Sequence, residues 1–276
     1  MDIDIFSGEK FQNICDVYIS SYDALQYNPN ILMQKEKHLL FTDIPEKYNN
    51  PKYVFTYTHT LDELIRQLYK FQNAFVLITH NSDDSIKDKY NDLLNDSKLI
   101  HMYSQNPCIV HPKLSMLPIG IANSMWPHGD INRVNAYRFN NSKEYTIYFN
   151  FQITTNYNKR NSCKEILINK GLPFIPNLPF HIYIQILSLH KFSICPEGNG
   201  VDSHRIWESL NCGTIPILLR STFTEYIEKV YPCILLDSWE DFSYELIMNR
   251  YSDNPFTDEI KNKLSFNYYK DMILNH

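Results

Sequence analysis

Phe192–Ile217, F-S-I-C-P-E-G-N-G-V-D-S-H-R-I-W-E-S-L-N-C-G-T-I-P-I, is the stretch on which the reading of this chain turns. Lys191–Cys195 is a short, mostly apolar run suited to a buried strand, and Thr214–Leu219 is a second, rich in β-branched and aliphatic residues. Between them Asp202 or Ser203 offers an N-cap, a helix runs to about Asn211, and Gly213 stands where a left-handed C-cap belongs. Three of the seven glycines in the chain fall here. Gly198 and Gly200 mark a sharp turn where a ligand can approach the backbone closely. The unit is β-loop-α-β. Its crossover places the glycine loop and the helix N-terminus at the carboxyl edge of a parallel sheet, where free N–H groups and the helix dipole attract anions.

The anion expected there is a phosphate. Ile206 and Leu210, four apart, face the core with Trp207 beside them, while Arg205 and Glu208, three apart on the adjoining edge, can address one ligand together. Arg205 suits a diphosphate through its planar fork, and Glu208 can accept hydrogen bonds from both hydroxyls of a ribose. Glu197, Gly198, Asn199, Gly200, Ser203 and His204 complete the loop around them. An Arg–Glu surface pair on an ordinary crossover helix is the plain alternative; the concentration of glycine, acid, histidine and arginine in one turn weighs against it.

The run Cys195–Ile217 resembles the donor-binding segment of exostosin-like glycosyltransferases, whose pattern is a proline, a glycine-containing turn, an arginine, an acid in the following helical turn, and then G-x-I-P-V. The resemblance implies a GT-B-like α/β architecture: two Rossmann-like domains with mostly parallel sheets facing an interdomain cleft. By the same resemblance, Arg205 binds donor phosphate and Glu208 the ribose, with UDP as the favoured nucleotide. Animal exostosins are longer and membrane-anchored, and their acid is often Asp where this chain has Glu208.

A second cation comes from E-Y-T-I-Y-F-N-F-Q-I-T-T-N-Y-N-K-R-N-S-C-K-E-I-L, which reads as a strand over Tyr145–Phe151, a polar loop and a helix beginning near Asn161. Lys159 and Arg160 then sit at the loop-to-helix junction, where basic side chains oppose the dipole unless an anion is bound. The domain boundary is expected in the polar stretch Asp130–Lys143. That gives an acceptor-binding domain over residues 1–140 and a donor-binding domain over 141–257. One amphipathic helix, Asp258–Asn275, follows, which the resemblance returns to the first domain. Strands at Cys233–Asp237 and a helix at Tyr244–Arg250 complete the second domain.

The first half reads as α/β, with strands at His38–Thr42, Tyr53–Tyr57, Phe75–Thr79, Leu99–Tyr103 and Met116–Ile119. Thr60 and Glu63 have the spacing of a capping box, and a second helix is expected over Ile86–Asn95 with Tyr90, Leu93 and Leu94 inward. Loops after these strands carry Thr79, His80, Asn81, Ser82 and Asp83, then Gln105 and Asn106, then Asn123, Trp126 and His128. An indole near amides and a histidine suits a sugar, whose apolar face stacks while its hydroxyls bond. Thr79, Asn81, Ser82, Asn106, Asn123 and Trp126 are therefore the acceptor-binding candidates. An inverting transfer needs a base for the acceptor hydroxyl. The resemblance places that base in the first domain, with Asp83, His80 or His128 as candidates.

Composition sets further bounds. The 276 residues are 43% hydrophobic and 14% aromatic, with a formal charge of −5 and a pI near 6.0, which argues against a general nucleic-acid or anionic-membrane binder. Six scattered cysteines without a C-x-x-C pair read as buried thiols of a reducing compartment. No run approaches the roughly 20 apolar residues of a membrane span, so a soluble, cytoplasmic protein is expected. No metal site is expected: the one D-x-D triplet is Asp2-Ile3-Asp4, and Asp83 and Asp84 diverge on an extended segment. The expected activity is inverting, metal-independent glycosyl transfer from a nucleotide sugar, preferably a UDP-sugar, to a glycan hydroxyl, with no further cofactor. The alternatives are a catalytically silent nucleotide-sugar or glycan-binding module of the same fold, and, more remotely, a dinucleotide-dependent oxidoreductase. The latter lacks a G-x-G-x-x-G after any strand.

Overall fold

The computed structural model describes residues 3–21, 37–41, 50–251 and 253–276. Thr42 and Asp2, both named above, lie outside the described residues. The chain forms two α/β units: Phe6–Gly129 with Phe266–His276, and Asp130–Ser265 with the described residues up to Ile5. Each is built on an all-parallel sheet with helical crossovers, so both are Rossmann-like.

The N-terminal unit carries β1 (Val17–Ser20), β2 (His38–Leu40), β3 (Tyr53–Tyr57), β4 (Phe75–His80), β5 (Leu99–Ser104) and β6 (Leu114–Met116). Their order across the sheet is β2-β1-β3-β4-β5-β6. Val54 opposes Leu77 and Phe55 opposes Ile78 in the register of β3 on β4. Every residue of those two strands is buried, which is why they read as continuous apolar runs rather than alternating ones. One core gathers Val17, Val54, Leu64, Phe71, Leu77 and Met102. The helix Phe266–Leu274 closes this unit: Tyr53 Oη donates to Leu274 O at 2.8 Å and Tyr103 Oη to Met272 O at 3.0 Å.

Several local expectations shift. Thr60 makes no capping bond; its hydroxyl donates back to Tyr57 O at 3.0 Å inside a 3₁₀ turn, Thr58–Thr60, so the box with Glu63 does not form. The helix expected over Ile86–Asn95 is a 3₁₀ turn, Asp88–Tyr90, followed by Asn91–Leu94. Ile86 instead makes a β-bridge to Pro107, while Tyr90, Leu93 and Leu94 are buried. The strand expected at Met116–Ile119 lies earlier, because Leu114 and Met116 pair with Met102 and Ser104 and Pro118 has no N–H to donate.

The second unit carries β7 (Tyr145–Tyr148), β8 (His190–Ile194), β9 (Ile215–Leu219) and β10 (Ile234–Leu236), ordered β10-β9-β8-β7. Gly213 is left-handed at φ 70° and an added Cβ would come 3.2 Å from Asn140 O, as a tight helix C-terminus demands. The polar stretch at the boundary belongs here: Asp130 accepts from the N–H groups of Asn132 and Arg133 and caps Ile131–Ala136, which packs on the helices Phe180–Ser188 and His204–Asn211. The division thus falls at Asp130 rather than at residue 140. Asp258–Asn275 is two helices rather than one, Asp258–Lys263 and Phe266–Leu274. Tyr231 Oη bonds Lys263 O at 2.8 Å and Arg138 Nη2 bonds Leu264 O at 3.0 Å, which satisfies the last carbonyls of the first helix and frees the chain to turn. Only the second helix belongs to the N-terminal unit.

Candidate functional site

The helix His204–Asn211 is placed by its apolar residues. Ile206, Trp207 and Leu210 are 1% exposed or less, and Ser209 Oγ links Arg205 O, at 2.6 Å, to Ser193 Oγ of β8, at 2.8 Å. Asp202 Oδ1 accepts from Trp207 Nε1 at 2.7 Å. Ser203 is the N-cap residue, yet its side chain makes no cap bond, and its buried Oγ has no partner among the described residues.

Arg205 and Glu208 leave this helix toward two tyrosines. Tyr183, on Phe180–Ser188, donates its hydroxyl to Glu208 Oε2 at 2.6 Å, and its ring centroid lies 5.0 Å from the Arg205 guanidinium carbon. Tyr148, at the carboxyl end of β7, stands 5.7 Å from the Tyr183 ring. Tyr148 is fully buried and its hydroxyl has no partner among the described residues. Burial, offset in part by the Arg205 charge, pushes its pKa up to about 12, so the group is a phenol and a donor. Arg205 Nη1 is likewise buried and unpartnered. Glu208 is 4% exposed and shares no salt bridge with Arg205. The cluster therefore presents unmet donors beside one carboxylate.

Arg160 differs from expectation. The helix begins at Tyr157, not near Asn161, so Lys159 and Arg160 lie in its first turn. Arg160 is buried, donating from Nε to Glu197 O at 2.8 Å and from Nη1 to Gln152 O at 2.7 Å. Burial first, and then the like charge of Arg205, bring its pKa down to about 10. Two guanidinium groups thus lie within electrostatic reach of each other, an arrangement an anion relieves. Lys159, mostly exposed, pairs with the Glu197 carboxylate. Gly198 and Gly200 are not among the left-handed glycines, and the turn is not made by their φ. An added Cβ on Gly198 would lie 3.4 Å from Arg160 Nη2, which is room beside a cation rather than backbone freedom. Asn199 is exposed and His204 half-buried in the same loop.

Two cavities open in this unit. One of about 230 Å³ lies at the carboxyl edge among Lys159, Ser162, Cys195, Glu197, Leu218 and Trp239. A larger one, about 300 Å³, lies at the opposite edge beside Lys143, Lys191 and Gly213. The first is lined by Glu197 and Val201 of the loop and by Lys159, but not by Arg160, Arg205, Tyr148 or Glu208; the second touches none of these, and Lys143 there spends its ammonium on Ser188 O, Cys212 O and Thr214 Oγ1.

In the N-terminal unit the expected residues separate into buried and exposed sets. His80 is fully buried; Nδ1 accepts from the Asn81 N–H at 2.8 Å and Nε2 faces Pro118 O at 2.9 Å. Both ring nitrogens are occupied and buried, so His80 has no nitrogen to offer an acceptor hydroxyl as a base. Thr79 is buried and bonded to Ser104 Oγ at 2.7 Å, and Asn106, at φ 55°, bonds Ser82 O and Asp84 O; both are structural. Asn81 (φ 55°) bonds Gln12 Oε1 and Asn123, while Asn123 also accepts from Glu9 N–H. Ser82 bonds His59. Asp83 is exposed, and Trp126, 48% exposed, stacks on exposed His128 at 6.2 Å.

The strand order adds positions the sequence reading missed. The sheet reverses direction between β1 and β3, and in open α/β sheets ligands lie at the carboxyl ends of the strands flanking such a reversal. Here those ends present Ser20, bonded to His38 at 2.7 Å, and Thr58, whose buried hydroxyl has no partner among the described residues. Among the described residues, no group of three or more His, Cys, Asp or Glu comes together as a metal site, and no helix is long and apolar enough to cross a membrane.

No family model and no curated protein matches the chain. Among solved structures it is similar to the crystal structure of Methanocaldococcus jannaschii UDP-GlcNAc 2-epimerase in complex with UDP-GlcNAc and UDP, at 13% identity and a TM-score of 0.39, over 82% of this chain and 76% of that one. The class of protein rests on the two parallel sheets themselves: a Rossmann-like α/β chain of two units.

Proposed function

We propose that the chain is an exostosin-like glycosyltransferase of the GT-B type. It moves a sugar from a nucleotide sugar, a UDP-sugar by preference, to a hydroxyl of a glycan acceptor, with inversion and without a required metal. The observation that carries this reading is the set of unmet donors at the carboxyl edge of the second sheet, Arg205 Nη1 and Tyr148 Oη, beside buried Arg160 and the oriented carboxylate of Glu208. A buried donor without an acceptor costs about 1–3 kcal/mol, and a diphosphate would meet both donors while Glu208 takes the ribose hydroxyls.

In this scheme the acceptor hydroxyl loses its proton to Asp83 or His128, attacks the anomeric carbon, and the bond to the diphosphate oxygen breaks. Arg205 and Tyr148 meet the charge that develops on the departing diphosphate, a stabilisation that grows along the reaction. The silent binding module is the second reading, favoured by the loss of His80 as a base; product formation from a nucleotide sugar separates the two.

The first test is thermal shift and calorimetry with UDP, GDP, CMP and NAD on wild type, Arg205→Ala and Glu208→Ala. One nucleoside diphosphate should stabilise the wild type, by about 2.7 kcal/mol at a hundred times its Kd, and neither variant. No binding, or binding indifferent to both substitutions, overturns the assignment.

A further inference from the structure

We propose that Tyr183 is the positioning residue of the donor site, holding the ribose-reading carboxylate and the phosphate-reading cation in one arrangement; this rests on the donor-site reading above. Arg205 and Glu208 leave the same helix, but nothing in that helix fixes their relative reach. Tyr183 does so from a different helix, Phe180–Ser188. Its hydroxyl donates to Glu208 Oε2 at 2.6 Å, and its ring lies 5.0 Å from the Arg205 guanidinium carbon. A hydrogen bond to a carboxylate is short and strong when charge-assisted, and it leaves the remaining lone pairs of Glu208 for a ligand. A guanidinium over an aromatic face is held without spending its N–H donors, and Arg205 Nη1 is indeed unspent.

Tyr183 is itself fixed, 8% exposed and flanked by the rings of Phe180 at 6.0 Å and Tyr148 at 5.7 Å. The hydroxyl and the ring therefore do separate jobs, and substitutions separate them. Tyr183→Phe removes the bond to Glu208 and keeps the surface under Arg205. Tyr183→Leu removes both.

The experiment measures, by calorimetry, the affinity of UDP, GDP, CDP and ADP, of each analogue lacking both ribose hydroxyls, and of inorganic pyrophosphate. Wild type should prefer its best nucleotide over the dihydroxyl-lacking analogue by about tenfold or more, the strength of hydrogen bonds to a charged group. In Tyr183→Phe that preference should collapse toward unity while pyrophosphate affinity stays as in wild type. Tyr183→Leu should also weaken pyrophosphate several-fold, the loss of a cation–aromatic contact. A general structural defect would lower all affinities together and leave the ribose preference intact. Thermal unfolding checks each variant. Should Tyr183→Phe not fold, Tyr183→His, with a flat ring and a shorter-reaching donor, should show a reduced preference. A preference undiminished in Tyr183→Phe, or in Tyr183→His where that arm is used, overturns the role of Tyr183 and leaves the donor site standing. A wild type that binds no nucleoside diphosphate overturns both.

Discussion

Tyr148→Phe should make the unliganded protein more stable and its nucleotide complex weaker. The hydroxyl is fully buried at the end of β7 and finds no partner among the described residues. An unsatisfied buried donor carries its desolvation penalty in full, about 1–3 kcal/mol, and phenylalanine removes it without changing the ring that packs on Tyr183 and His190. For a chain of this size each kcal/mol moves Tm by roughly 2–4 °C, so calorimetric unfolding without nucleotide should rise by at least about 2 °C. Binding should move the other way. Losing one hydrogen bond to a phosphate oxygen weakens nucleoside diphosphate affinity roughly 3- to 10-fold. Both signs are needed, because a purely structural tyrosine would lose stability on substitution and a spectator would lose neither. A fall in Tm would mean that the hydroxyl is satisfied in the free protein; an unchanged affinity would mean that no acceptor reaches it.

Two further outcomes follow from the N-terminal unit. Gly8→Ala should destabilise it by about 1–3 kcal/mol in urea unfolding, because the added Cβ would sit 1.8 Å from Asn81 Oδ1 and 2.6 Å from His80 Nδ1; wild-type stability in that variant would refute the packing of the helix Gly8–Asn13 on β4. His101, bonded to Ser115 and stacked on His276 at 4.5 Å, has its pKa lowered from 6.5 to about 4 by burial and then by the charge of His276. The unfolded chain takes up that proton below about 6.5 while the folded one refuses it until about 4, so stability falls as pH drops through this window, by on the order of 3 kcal/mol at 1.36 kcal/mol per tenfold in proton affinity. His101→Gln should flatten that acid limb of the pH–stability curve, and an unaltered limb would refute the linkage.

Arg205 and Glu208 were legible because one helix displays both, and a 3.6-residue period read from Ile206 and Leu210 says which edge they share. Their partners were not. Tyr148 ends β7 and Tyr183 lies on the helix before β8, and nothing in a run of aromatic residues says which tyrosine meets that edge of the helix. Arg160 misled for a related reason. As a basic residue near a helix start it reads as an exposed phosphate clamp, but the helix begins at Tyr157, which turns its side chain inward to hold Glu197 O and Gln152 O. Gly198 and Gly200 read as a sharp turn open to a ligand, whereas neither is left-handed and a Cβ on Gly198 would make only ordinary contact with Arg160 Nη2 at 3.4 Å.

In the first unit the strands were legible and their order was not, and the difference changes where an acceptor should be sought. Parallel strands buried on both faces are apolar throughout, so β3, β4 and β5 carry no mark of which neighbour each takes. Ranking the loops by polarity alone then favours the one after β4, since Thr79, His80, Asn81, Ser82 and Asp83 stand together there. Pairing shows why that polarity is largely internal. Thr79 bonds across to β5, His80 to Pro118, and Asn81 to Gln12 and Asn123, so most of the loop fastens the sheet to its surroundings and Asp83 alone remains exposed with no partner among the described residues. The reversal of strand order falls instead between β1 and β3, where diverging crossovers leave a crevice that side chains of neighbouring strands do not fill. Thr58, with a buried hydroxyl bonded to nothing among the described residues, stands at the carboxyl end of one of the two strands that flank this reversal. Under the glycosyl transfer proposed above, an acceptor is therefore better sought from Thr58 and Ser20 outward than from the polar loops that first attract the eye.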